Sequence, residues 1–193
     1  MKRFFLTTGI FVLAAPLVMA QATTWTPDPN HSEVDFTVKH LSISNVRGHF
    51  GKITGTIQFD QSDPTKSSVN ITIDVTGVDT GITARDNDLK SANYFDVANF
   101  PTATFASTSV SKNSDGGFTI DGNLTLHGVT KPVTLHAEAP SGPITGAKDS
   151  KHFGFSATTT LDRTQFGVGA KTPNAMVSTN VKLEIDVDAV QQP

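Results

Sequence analysis

The chain has 193 residues with 18 acidic and 15 basic side chains, a formal net charge of −3 near neutral pH. That balance leaves no basic stripe of the kind that grips nucleic acid, so no nucleic-acid partner is expected. There is no cysteine, which excludes a disulfide scaffold and thiol chemistry.

Residues 1–20 read as a signal peptide. Lys2 and Arg3 supply the charged start, a mainly apolar run too short for a membrane span follows, and Val18-Met19-Ala20 ends it. Cleavage is expected after Ala20 or, since Ala20-Gln21-Ala22 has the same A-x-A form, after Ala22. Removing Lys2 and Arg3 from the 15 basic residues leaves 13 against 18 acidic ones, a formal charge of −5. Residues 21–193 then form a single domain, large enough to bury roughly 68–70% of its unfolded surface. It is expected to be soluble and periplasmic or secreted.

Period-two alternation, the mark of half-buried strands, dominates from there. Val34, Phe36 and Val38 alternate with Glu33, Asp35 and Thr37. Val46, Gly48 and Phe50 share one parity and Ile53, Gly55, Ile57 and Phe59 the other, so a long strand with a glycine bulge at Gly51 is predicted. Val69, Ile71 and Ile73 mark a third strand. "TARDNDLKSANYF" breaks the pattern, and Thr83 followed by Asp86 suggests a capped short helix there. Ala103 and Phe105 open the fourth strand, and the turn "NSDGG" leads to Phe118, Ile120, Leu124 and Leu126 on one face. Val133 with Leu135, Phe153 with Phe155, and Val181 through Ala189 complete about eight strands. Such a meander closes as a barrel or folds as a sandwich. The long strands favour an all-β, eight-stranded antiparallel barrel whose interior holds one small ligand.

His31, His40 and His49 are spaced nine apart, and His127 and His136 repeat the interval. An odd spacing puts histidines of one strand on opposite faces, whereas zinc needs three or four converging ligands. By parity only His40 faces inward, so no metal is expected. No catalytic motif stands out: there is no G-x-S-x-G elbow, "QFGVGAK" lacks phosphate-loop spacing, and "RDNDLK" lacks the calcium-loop pattern. No catalytic residue and no cofactor are assigned.

Five segments carry a family resemblance: "DPNHSEVDFTVKHLSISNVRGHFGKITGTIQFD", "TGITARDNDLKSANYFDVANFPTATFAST", "GNLTLHGVTKPVTL", "FSATTTLDRTQFGVG" and "VSTNVKLEIDV". Taken in order, they make the chain resemble the YceI-like family of lipocalin-like, polyisoprenoid-binding barrels. The resemblance implies an apolar channel for a long-chain lipid, a short helix beside or across the barrel, and a periplasmic or secreted location. It supplies no catalytic residue.

The candidate channel-lining residues are Phe36, Val38, His40, Gly48, Phe50, Gly55, Phe105 and Phe155. Small inward residues such as Gly48, Gly55 and Gly122 leave volume that a packed core would fill. Arg47, Arg85, Lys90, Arg163 and Lys171 are candidates for meeting a charged head group, and a neutral quinone head is an equal alternative. The leading reading is a non-enzymatic carrier or sequestering protein for a long-chain isoprenoid lipid or quinone. The alternatives are a lipid-modifying enzyme with His40 at the barrel mouth, and a ligand-free interaction protein for a membrane partner. Contact with a membrane or membrane protein, and a homodimer, remain open partners.

Overall fold

The computed structural model describes residues 22–193; the expected signal peptide lies outside the described residues. Eleven strands follow in chain order: β1 (Thr23–Pro27), β2 (Glu33–His40), β3 (Ser44–His49), β4 (Ile53–Phe59), β5 (Ser68–Asp74), β6 (Thr102–Lys112), β7 (Phe118–Leu126), β8 (Val129–Ala137), β9 (Ser141–Thr145), β10 (Lys151–Asp162) and β11 (Val177–Gln191). One helix, α1 (Thr83–Lys90), lies between β5 and β6.

The eleven strands fill eight positions of a closed antiparallel barrel, because three positions are shared by two strands laid end to end. One edge of β11 pairs with β2 from Val177 to Asp186 and with β1 from Ala189 to Gln191. β3 pairs with β2 and β4 with β1, so these two are the single broken strand expected around Gly51. β8 and β9 likewise share an edge of β10. The circuit closes along β10 and β11, from His152–Val190 to Asp162–Asn180. The barrel expected from the alternation is therefore present. We call its upper end the one where β2 finishes and β11 begins.

The strand break follows from a change of partners. Phe50 N still donates to Val34 O at 3.0 Å, whereas Gly51 N donates to Asp74 O at 2.8 Å. From Ile53 on the strand pairs with β5, and the apolar parity resets. β1 left no such trace in the sequence. It has five residues, its neighbours are threonines, and Pro27 ends it. Its Trp25 is nevertheless 2% exposed and meets Phe153 edge-on at 4.8 Å.

The helix forms in the expected segment but with a different start, and it ends at Lys90 rather than continuing to the stretch before Asn99-Phe100-Pro101. Its first flanking residue is Ile82, which makes no side-chain cap. Asp86 instead reaches back to accept from Thr80 N at 2.8 Å and Thr80 Oγ1 at 2.5 Å, and these bonds hold its carboxyl below the usual range. Arg85 Nε donates to the same hydroxyl at 2.7 Å. The helix has no fully buried residue; the loop ahead of it holds its start, and Leu89 packs against the core.

One expectation fails. Gly55 does not open volume into the interior: its φ is +131° and a Cβ there would sit 2.1 Å from the Asn70 carbonyl oxygen. The glycine marks a close approach of two backbones, not a gap in the lining. Gly55→Ala is therefore expected to cost about 2 kcal/mol or more, as steric strain at a special backbone angle does. Urea denaturation of the two proteins checks this.

Candidate ligand-binding interior

The inward faces of the strands enclose three small cavities arranged along the barrel. The central one, about 70 Å³, is bounded by Val34, Ile53, Phe105, Ile120, Phe155 and Thr159 among others. A second, about 40 Å³, lies toward the lower end against Phe59, Phe118 and Phe153; it shares Ile57, Val69, Ile120 and Phe155 with the central one. The third, about 80 Å³, lies at the upper end among Phe36, Val38, Phe50, Leu89, Tyr94 and Arg163. Phe36 and Leu183 are cross-strand partners in the upper cavity, and Val34 and Ile185, two residues along, are partners in the central one. The cavities thus follow one continuous apolar face.

The candidate residues divide cleanly. Phe36, Val38 and Phe50 line the upper cavity, and Phe105 and Phe155 the central one. Gly48 lies beneath the Phe36 ring, where a Cβ would come within 2.6 Å of Phe36 Cζ and of Asp79 O. Gly122 is covered in the same way by Phe105, at 2.4 Å. These glycines make room for rings rather than for a ligand. His40 is exposed and lines none of the three cavities. It follows the parity of Phe36 and Val38, but β2 has by then run past the rim, and its pairing with β11 shifts register between Val181 and Val177. Leu89, Tyr94 and Phe95, from the segment read only as a helix, complete the upper cavity. The helical spacing of Leu89 and Ala92 did not show that Leu89, Tyr94 and Phe95 close a barrel end.

Polar groups in the interior are few. Thr159 is the one polar liner of the central cavity. Arg163, 5% exposed, lines the upper one, and its donors go to the loop ahead of β11 and to the first two residues of β11. Nε donates to Ser178 O at 3.0 Å, Nη1 to Val168 O and Gly169 O, and Nη2 to Thr172 O and Val177 O. Five carbonyl dipoles solvate the buried cation, and no carboxylate among the described residues pairs with it. Arg163 therefore shapes the mouth and has no donor left for a head group. Arg85 is likewise committed to Thr80. Arg47 and Lys171 are exposed and Lys90 is half-buried.

A second polar cluster sits outside the barrel wall, where β11 changes partner from β2 to β1. His31 Nδ1 meets Asp28 Oδ2 at 2.7 Å, and His152 Nδ1 meets Asp188 Oδ1 at 2.8 Å. Ser32 Oγ donates to Asp188 O at 2.9 Å and accepts from Asp188 N at 3.0 Å, clasping the turn to the strand. Asp28, His31 and Asp188 each bring one ligating atom within 4.8 Å of the others. Parity along single strands could not reveal this meeting, because the residues come from a turn and two neighbouring strands. The amide of Asn30 and the His31 ring hold Asp28 below the usual carboxylate range, and the Asp28 carboxylate raises His31.

Comparison with known proteins places this barrel. The YceI-like domain matches residues 25–189. A Salmonella newport protein, Protein YceI, is 43% identical over 162 residues, covering 84% of this chain and 83% of the relative. Burkholderia cenocepacia BcnA superposes with a TM-score of 0.75 at 22% identity, over 84% of this chain and 98% of its own. A polyisoprenoid binding domain from Saccharophagus degradans gives 0.62 at 15% identity, over 88% and 99%.

Two outcomes are expected from these contacts. Arg163→Lys replaces a planar five-donor fork with one ammonium and strands several loop carbonyls, so a loss of about 3 kcal/mol is expected in denaturant titrations. Proteolysis within residues 167–177 should accelerate with it. Asp28→Asn should return the His31 titration, followed by NMR, toward the ordinary 6.5. The raised His31 stabilises fully below 6.5 and loses its effect as pH rises through its folded value. The depressed Asp28 stabilises fully above 3.8 and loses its effect as pH falls through its folded value. The stability gap between the two proteins should therefore be widest between these pH values and shrink on the alkaline side.

Proposed function

The chain belongs to the YceI-like family, and from that premise we propose that it is an exported, non-enzymatic carrier of a long-chain isoprenoid lipid held in the barrel interior. The observation that carries the proposal is the continuous apolar face linking three cavities, in which Thr159 is the one polar liner of the central cavity and Arg163 has all its donors bonded to backbone carbonyls. Its likeness in fold to a domain named for polyisoprenoid binding supports the same class of ligand. Export rests on the sequence of residues 1–20 alone.

The cavities are small beside such a ligand. Each is below the roughly 150 Å³ of an apolar cavity that accommodates benzene. A long chain enters as Phe155, Ile57 and the Phe36–Leu183 pair turn aside. Because the surroundings are apolar, this movement exposes no unpaired polar group.

Chain length sets the affinity. One isoprene unit contributes about 4 kcal/mol gross at about 0.8 kcal/mol per buried carbon, and association costs about 4–15 kcal/mol. One or two units barely hold; longer chains bind. The head group meets no free donor on Arg163, so a neutral quinone-type head, or a charged one left in water at the mouth, fits best. Exposed His40 lies outside the cavities, which disfavours the acid–base enzyme reading.

The test is a length series. A prenyl alcohol or quinone of about eight units should raise the melting temperature of delipidated protein by several degrees, whereas one of about two units should leave it unchanged. Native mass spectrometry of protein from its own host should find a long prenyl lipid bound. No shift at any length would favour a filled barrel acting only through a membrane partner.

A further inference from the structure

A lipid carrier must meet the surface from which its lipid comes. We infer that the upper lip of the barrel, the β2–β3 hairpin together with the loop before β11, docks on an anionic lipid bilayer; this rests on the carrier reading above. The hairpin shows Leu41 and Ile43 to solvent, 49% and 81% exposed, and Met176 is 49% exposed. They are neighbours: Leu41 N donates to Met176 O at 2.9 Å. Leu41 and Ser42 both adopt left-handed backbone angles, φ 50° and 61°. A turn of this shape is strained without glycine, and here it also holds apolar side chains in water. The backbone angles serve the β2–β3 hairpin, whose turn is closed by Ile43 N donating to His40 O at 3.1 Å; the exposed leucine and isoleucine on it do not.

The patch continues into the interior. Val38 and Val177 line the upper cavity. Val177 is the cross-strand partner of His40, directly before Leu41, and Val38 that of Val46 and Val181. A bilayer in contact with Leu41, Ile43 and Met176 would lie over that cavity.

Charge selects the kind of surface. Residues 36–48 and 163–183, which build the lip, contain no aspartate or glutamate, in a chain with 18 of them. They carry exposed Lys39, Arg47, Lys171 and Lys182. Lys182 is paired with Glu184 at 2.8 Å, which leaves Lys39, Arg47 and Lys171 outside any ion pair among the described residues. Acidic groups border these stretches: Asp162, opposite Asn180 and bonded to Thr164; Asp79, bridged to His49; Asp35 and Glu184 on the strands; and Asp86, Asp88 and Asp96 on and after the helix. A negatively charged protein with one cationic, apolar lip approaches an anionic leaflet lip first. The prenyl chain then passes between bilayer and barrel without crossing water.

Flotation with vesicles tests this. Wild-type protein should float with mixed phosphatidylglycerol–phosphatidylethanolamine vesicles, far less with phosphatidylcholine alone, and less as salt rises. Joint Leu41→Ser and Ile43→Ser substitution removes exposed apolar surface and should weaken flotation about tenfold or more. Joint Lys39→Glu and Lys171→Glu substitution should weaken it similarly on anionic vesicles alone. Every variant should keep the thermal shift from a detergent-delivered prenyl quinone of about eight units, which separates docking from lipid binding. Wild type that floats equally with both vesicle types, or variants that float like wild type, overturn the docking surface whatever the thermal shift shows. A dimer that the serine variant dissolves, without flotation, overturns it in favour of a second copy of the chain.

Discussion

β11 has hydrogen-bonded partners on both edges, and the interior exists only because of that. One edge runs along β10; the other is taken by β2 and then by β1. Its 15 residues span about 50 Å at ~3.3 Å each. A single strand therefore lines the upper cavity with Val181 and Leu183 and the central one with Ile185 and Val187. Where it changes partner, neither β1 nor β2 covers its edge fully. The Asp28–Ser32 turn fills that place, with Ser32 bonded to both backbone groups of Asp188. Closure joins residues 33–40 to residues 177–186, so the apolar face is sealed only once nearly the whole chain has assembled.

This dependence explains what the sequence could show. Alternation reports which face of a strand is buried, and Phe36, Phe105, Phe153 and Ile185 were legible because they repeat every second residue. It does not report what stands opposite. Gly48, Gly55 and Gly122 share inward parity, yet two lie under phenylalanine rings and one against a backbone carbonyl. Only the register between strands distinguishes a gap from a close contact. The same limit applies to His40, whose parity holds while the barrel around it ends. Trp25 was missed because a five-residue strand between threonines carries no periodic signal. The Asp28–His31–Asp188–His152 cluster was missed because it is assembled across strands.

A barrel that takes up a chain and a barrel filled by its own side chains differ by little volume. The cavities of about 70, 40 and 80 Å³ are separated by apolar groups alone. Turning such groups aside forfeits dispersion contacts, which an incoming hydrocarbon restores. A buried polar network between the cavities would have made the same movement costly, since its hydrogen bonds would be left unmade. Apart from Thr159 in the central cavity, the buried polar groups sit elsewhere: Arg163 and Ser32 hold the two ends of β11, and Asp60 lies in the turn after β4. The rigid parts of the molecule thus frame a compliant interior.

Arg163 shows how far this division goes. A buried guanidinium beside an apolar channel would ordinarily be read as an anchor for phosphate or carboxylate. Here its five donors are spent on carbonyls of the loop before β11 and of the first two β11 residues. The cation stiffens the mouth and offers nothing to the cargo. In the carrier proposed above, binding would depend on hydrocarbon contacts distributed along the lipid, each weak and each lost in turn as it slides out. A charge-assisted bond at the mouth would concentrate the affinity at one point and raise the barrier to release. A protein that collects a lipid at one surface and gives it up at another is better served by contacts that can be broken one at a time.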